Sequence, residues 1–109
     1  MHEMAITQSI VDAVCERLDG ERVRALSIEI GAMSGVAPDA VRFCFDLAAE
    51  GTPLAGARLE ISEPPGRARC RACATEFRMD DPIALCPCGS ADVQVTGGRE
   101  LRIRSMEVL

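Results

Sequence analysis

The chain contains no tryptophan, no tyrosine and no lysine, and it has a single histidine. Three phenylalanines are its whole aromatic complement, which supplies few of the faces on which the bases of a single strand would stack. The twelve basic residues are all arginine and face seventeen acids, for a net charge of −5. That balance argues against nucleic acid binding through a basic surface, and arginine favours fixed ion pairs over a mobile cationic coat. No run of 18 apolar residues occurs, so a membrane-spanning helix is excluded. The opening MHEMAITQSI carries an acid at Glu3 and lacks the basic and long apolar regions of a secretory signal, which makes the cytoplasm the expected compartment. What remains is a globular composition, 48% hydrophobic and 27% charged over 109 residues. Such a length holds one ordinary domain, or a small core plus a mini-domain that needs a staple.

Charge and cysteine both divide the chain after Gly66. Residues 1–66 hold five arginines and eleven acids, a balance of −6, and residues 67–109 hold seven arginines and six acids, a balance of +1. Cys15 and Cys44 stand alone in the first part, whereas Cys70, Cys73, Cys86 and Cys88 fall within nineteen consecutive positions. Two units of different chemistry are expected.

In the first unit Ile6, Ile10, Val11, Val14 and Leu18 recur at helical spacing, with Gly20 as the stop, which predicts an amphipathic helix of roughly four turns. From Val23 the period shortens: Leu26, Ile28 and Ile30 alternate with Ser27 and Glu29, the pattern of a half-buried strand. After the loop GAMSGVAPD, a second helix is expected from about Pro38 to Glu50, with Val41, Cys44, Phe45 and Ala48 on one stripe and Pro38 opening its first turn. Leu59 and Ile61 mark another strand, closed by Pro64, Pro65 and Gly66. Residues 67–98 hold few large apolar side chains, namely Phe77, Met79, Ile83 and Leu85, too few to fold by burial alone. After Gly97 and Gly98 alternation resumes in Leu101 and Ile103, then Met106 and Val108 continue on the opposite parity, which a bulge near Ser105 would reconcile. A lone strand needs partners, so the C-terminus is expected to return to the first sheet. The predicted fold is α+β: two helices on a small three-stranded sheet (1–66 plus 99–109), with 67–98 inserted as a zinc-ribbon-like domain built on four cysteines.

The insert reads CRACATEFRMDDPIALCPCGS, or Cys70-x2-Cys73-x12-Cys86-x-Cys88. Four soft thiolates on two knuckles suit tetrahedral zinc, and such a site contributes folding free energy directly to a segment short of core. Two disulfides are the competing account, but they persist poorly in a reducing compartment and would cross-link little chain. A redox CxxC is the third, and the helix-opening βαβ frame it usually occupies is missing. Zinc is favoured. A four-thiolate shell leaves no open coordination position, so the role is structural. Arg67, Arg69, Arg71 and Arg78 could offset its negative field or be solvated surface charges. Cys15 and Cys44 read as small hydrophobes on helix faces.

The one histidine is His2. The Met1 amine, the His2 amide nitrogen and the His2 imidazole can close fused chelate rings, and nitrogen donors in a tetragonal plane suit Ni(II) or Cu(II). Glu3 could add a fourth donor through its amide or its carboxylate. These features together resemble the HypA/HybF hydrogenase maturation factors: the opening MHE, then IEIGAMSGV, VRFCFDL, the paired cysteines ending CPCGS, and the closing GGRELRIRSMEV. They span nearly the whole chain. The resemblance implies a nickel metallochaperone with no catalysis of its own. It would deliver Ni(II) to the [NiFe]-hydrogenase large subunit with a partner GTPase, and relatives in some organisms also serve urease maturation. It implies nickel at His2 and Glu3, and structural zinc at Cys70, Cys73, Cys86 and Cys88. The family's second cysteine pair is commonly CPxC, whereas only Pro87 separates Cys86 from Cys88 here, which alters the knuckle but leaves tetrahedral ligation feasible. An acidic residue near the second helix is also linked with nickel in the family, and Asp39 is the nearest candidate. A zinc-ribbon nucleic acid module and a thiol oxidoreductase are the rival readings.

Overall fold

The computed structural model describes residues 2–109. Its elements run α1 (Glu3–Arg17), β1 (Val23–Ile30), α2 (Pro38–Ala49), β2 (Arg58–Ser62), β3 (Gly66–Cys70), β4 (Glu76–Met79), β5 (Val93–Gly97) and β6 (Leu101–Val108). Two three-stranded sheets result, ordered β2-β1-β6 and β4-β3-β5. Helix α1 buries Thr7, Val11 and Val14, with Ile6, Ile10 and Leu18 packed at the margin. It ends at Arg17, one residue short of the apolar pattern, because Leu18 turns extended and donates its amide to the Cys15 carbonyl. Helix α2 opens on Pro38, carries Asp39 in its first turn, where an acid complements the helix dipole, and buries Val41, Phe45, Ala48 and Ala49. Cys44, expected on that stripe, is only half-buried.

Strand β1 is the centre of the first sheet, parallel to β2 and antiparallel to β6. Leu26, Ile28 and Ile30 turn to the helices and are essentially inaccessible, forming one core with Val11, Val14, Val41, Phe45, Leu54 and Leu59. The return of β6 to β1 agrees with the alternation in Leu101–Val108. The register passes from Ser27 opposite Ser105 to Ile28 opposite Ile103, so Arg104 is the extra residue of a bulge. The other face of β1 departs from the expected half-buried strand: Glu29 is 7% exposed, because Arg102 and Arg104 reach over it with Nε–Oε1 distances of 2.9 and 3.5 Å.

The three strands β3–β5 lie between β2 and β6 in sequence and pair only with one another. Cys70 closes β3 and Cys73 lies in the turn of the β3–β4 hairpin, and β5 returns along the other side of β3. The sequence pattern sets no strand bounds in this segment, and between the two cysteine pairs the structure has β4 alone. The scarcity of core is more severe than the apolar count suggests. Met79 is buried and Phe77 half-buried, but Ile83 is 74% exposed and Leu85 54% exposed. Ala68, Cys70, Met79 and Cys86 are the buried apolar groups of residues 67–98, and two of them are cysteines of the motif.

Glycines join the two sheets. A β-carbon on Gly31 would overlap the Gly98 carbonyl oxygen, and one on Gly98, which has φ +97°, would overlap the Gly66 α-carbon. Backbone meets backbone there, so no side chain fits. Around this crossing Gly31 donates to the Glu100 carbonyl, Ala32 to Pro64 and Met33 to Gly98, at 2.7 to 2.9 Å. The molecule measures 53 × 22 × 18 Å with a radius of gyration of 17.0 Å, against about 13 Å for a compact domain of this length. The two sheets therefore lie end to end.

Candidate metal centre

The first knuckle is shaped by backbone hydrogen bonds. Ala74 donates to the Cys70 carbonyl and Cys70 to the Thr75 carbonyl, both at 2.9 Å, and Ala74 takes a left-handed φ of 63° to close the loop. In the second, Gly89 donates to the Cys86 carbonyl at 2.8 Å and Cys86 to the Ser90 carbonyl at 2.9 Å. Gly89 has φ +94°, a conformation that glycine adopts without steric cost. The one-residue spacing of Cys86 and Cys88 is compatible with this turn, and the Cys88 amide points at Cys86 Sγ from 3.4 Å.

The two knuckles bring all four Sγ atoms within 4.8 Å of one another. Cys70 and Cys88 are 3.8 Å apart and Cys73 and Cys86 are 3.6 Å apart. A tetrahedron with metal–sulfur bonds of about 2.3 Å has edges of about 3.8 Å, so the donor set fits a tetrahedral thiophilic metal. The six cysteines are unbridged. Cys70 and Cys86 are buried, and Cys73 and Cys88 face solvent. Contact with Thr75, whose hydroxyl oxygen lies 3.2 Å from Cys73 Sγ, lowers the Cys73 thiol to about 6. The Cys88 amide pulls Cys86 down, but burial and the neighbouring thiols outweigh it and push that thiol up to about 12. Without a cation the cluster therefore ionises unevenly, and a metal must displace protons to bind all four sulfurs. Thr75 escapes the sequence reading; its place two residues after the CxxC pair is the one signal that points to it. Arg71 turns to Asp92 and Arg78 to Asp80. Among the described residues no arginine donates to a cysteine sulfur, which leaves these side chains as surface charges.

His2 is the N-cap residue of α1 and is exposed. Its carbonyl accepts from the Ile6 amide at 3.1 Å. Glu3 opens the helix, and its Oε2 accepts from the Ala37 amide at 3.2 Å, which holds the carboxyl below its ordinary value. This bond ties the start of α1 to the start of α2, beside exposed Asp39, and nothing in the spacing of residues 3 and 37 announces it. Met1 lies outside the described residues. Among the described residues His2, Glu3 and Asp39 do not converge as a cluster of three donors, and the four cysteines are the group that does. Cys15 packs at the edge of the core and Cys44 is half-buried on α2.

Residues 1–108 match the family model described as "Hydrogenase/urease nickel incorporation, metallochaperone, hypA". The chain belongs to the HypA family. It is 47% identical over 108 residues to the hydrogenase maturation factor HypA of Nostoc punctiforme, covering 99% of this chain and 96% of that protein. With the protein of the same name from Geobacter metallireducens it shares 47% over 110 residues, covering 99% of each. A solved structure described as "Solution structure of HypA protein" superposes with a TM-score of 0.70 at 25% identity, covering 100% of this chain and 97% of that one. The solution structure of the Ni metallochaperone HypA from Helicobacter pylori, at 23% identity and TM-score 0.67, covers 100% and 98% and shares the fold. As a HypA protein the chain is a nickel metallochaperone of hydrogenase or urease maturation and not an enzyme, which removes the thiol oxidoreductase reading. No helix among the described residues is long and apolar enough to cross a membrane.

Proposed function

We propose that this HypA protein binds Ni(II) at its N-terminus through the Met1 amine, the His2 amide nitrogen and imidazole, and Glu3, while Cys70, Cys73, Cys86 and Cys88 hold a structural Zn(II). The nickel is transient cargo. It passes to the [NiFe]-hydrogenase large subunit with the maturation GTPase as partner, and the same chemistry serves urease maturation proteins where they are present. Residues 1–66 plus 99–109 form the nickel-binding unit and 67–98 the zinc unit. The six unbridged cysteines suit a cytoplasmic setting.

The observation that carries the nickel reading is the position of His2 as N-cap of α1. The first amide groups of a helix have no partner in its hydrogen-bond ladder, so a metal can displace the amide proton without breaking the helix. Nitrogen donors in a plane select nickel, and soft thiolates in a closed tetrahedron select zinc. A nickel titration of zinc-loaded protein with its native N-terminus tests this assignment. His2→Ala is expected to abolish specific nickel binding and leave zinc content unchanged. One residue added before Met1 is expected to weaken nickel binding and shift its d–d absorption band, since the free amine leaves the chelate. Equal affinity and spectra for native and extended proteins would overturn the amine chelate while leaving the imidazole as a ligand.

A further inference from the structure

Helix α2 keeps an uncovered face. Of the three phenylalanines Phe45 is buried and Phe77 half-buried, but Phe43 is 74% exposed, and Leu47, one turn further on, is 56% exposed. Residues four apart on a helix stand side by side, so these two form one apolar row. Single exposed apolar side chains are ordinary. An aromatic and an aliphatic side chain at helical spacing are instead the anchors by which helices dock.

The charges beside this row are of one sign. Asp39, Asp46 and Glu50 are exposed, and at about 100° per residue they fall in the sector adjoining that of Phe43 and Leu47. Among the described residues none of the three acids has an ion-pair partner. The one base of the helix, Arg42, donates to the Leu59 carbonyl of β2 at 2.8 Å, which draws its guanidinium toward the sheet. Asp46 lies in the last turn and Glu50 is the C-cap, and that turn holds no basic residue. A helix C-terminus carries partial negative charge and favours cations. Both acids therefore stand where the helix itself disfavours them, and the complement that α2 lacks is cationic.

We propose that this face of α2 docks a basic amphipathic helix of a partner protein, whose apolar row covers Phe43 and Leu47 and whose lysines or arginines meet Asp39, Asp46 and Glu50. Cations so placed offset the acids and the negative pole of the helix together. A second copy of this chain brings the same acids to the face, and nucleic acid and anionic lipid carry the wrong sign for it. Neither metal site is needed for this docking.

The test uses the full chain, zinc-loaded and isotopically labelled, with three synthetic helical peptides. The first carries leucines on one helical row and lysines on the row beside it, the second has the same composition in scrambled order, and the third has glutamate for each lysine. Amide shifts of residues 38–50 are expected to move with the first peptide, on the order of tenfold more weakly with the second, and not with the third. Phe43→Ala combined with Leu47→Ala is expected to weaken binding of the first peptide on the order of tenfold, and since both side chains are exposed the remaining amide spectrum should be preserved. Asp46→Asn with Glu50→Gln, which keeps the shape of both side chains, is expected to weaken binding and remove most of its salt dependence. No binding of the first peptide, equal binding of the scrambled one, shifts centred away from α2, or an affinity that neither double variant alters would overturn the proposal. Shifts of α2 that follow protein concentration alone would put a second copy on this face and overturn it equally.

Discussion

Glu29 shows what a single residue can hide. Its sequence neighbours place it on the polar side of an alternating strand, and the alternation is real, since Leu26, Ile28 and Ile30 fill the core. What the pattern does not contain is the cover, which comes from Arg102 and Arg104 more than seventy positions later. Arg102 donates to Glu29 Oε1 at 2.9 Å, and this contact raises its guanidinium above the ordinary value. Truncating the acid removes a charge-assisted hydrogen bond but leaves two arginines free to stay in water. Glu29→Ala is therefore expected to cost about 1.5 to 3 kcal/mol, read as a lower urea midpoint with an unchanged denaturant slope. Metal-site legibility has the same origin. The cysteines are visible because their spacing is local, whereas the Ala37 amide that holds Glu3 belongs to an element brought near by the packing of the two helices.

The elements of the first sheet are legible because each carries a period set by burial. The switch from helical spacing to alternation at Val23, and the parity change that marks the Arg104 bulge, both coincide with observed boundaries. Strands β3 and β5 are not legible, for their pairing is imposed by the cysteine cluster more than by any apolar face. Val93 and Val95 are only half-buried, and the strand they form follows from the need to return the chain past the second knuckle. Such an element has little free energy of its own, so removing one ligand should undo the whole insert. Cys73→Ser is expected to lower bound zinc and abolish amide protection across residues 67–98. Helix α1, whose core lies in the other sheet, should keep its protection. Unchanged zinc and unchanged exchange in the insert would contradict this coupling of metal and fold.

At the scale of the whole molecule the two sheets are joined where Gly31, Gly66 and Gly98 touch. A methyl group on Gly31 would overlap the Gly98 carbonyl oxygen and lie 2.7 Å from the Glu100 nitrogen. Neither is a flexible side chain that could move aside, and the Gly31 and Met33 hydrogen bonds sit at the same crossing. Gly31→Ala is thus expected to destabilise the protein by about 3 kcal/mol, with loss of protection on both sides of the junction in hydrogen exchange. The 53 Å length also keeps the charges apart: residues 1–66 plus 99–109 hold eight arginines and thirteen acids, a balance of −5, and residues 67–98 hold four of each, a balance of zero. Screening acts over about 8 Å at physiological ionic strength, so a partner approaching the first unit meets an acidic surface that the insert does not neutralise. Complementary charge of this kind mainly accelerates encounter and is weakened by salt. Association with the proposed GTPase partner is accordingly expected to slow on the order of tenfold between low and physiological ionic strength, with a smaller change in dissociation rate. Stopped-flow association rates measured across that range would decide it, and a rate insensitive to salt would mean that the acidic unit is not the docking face.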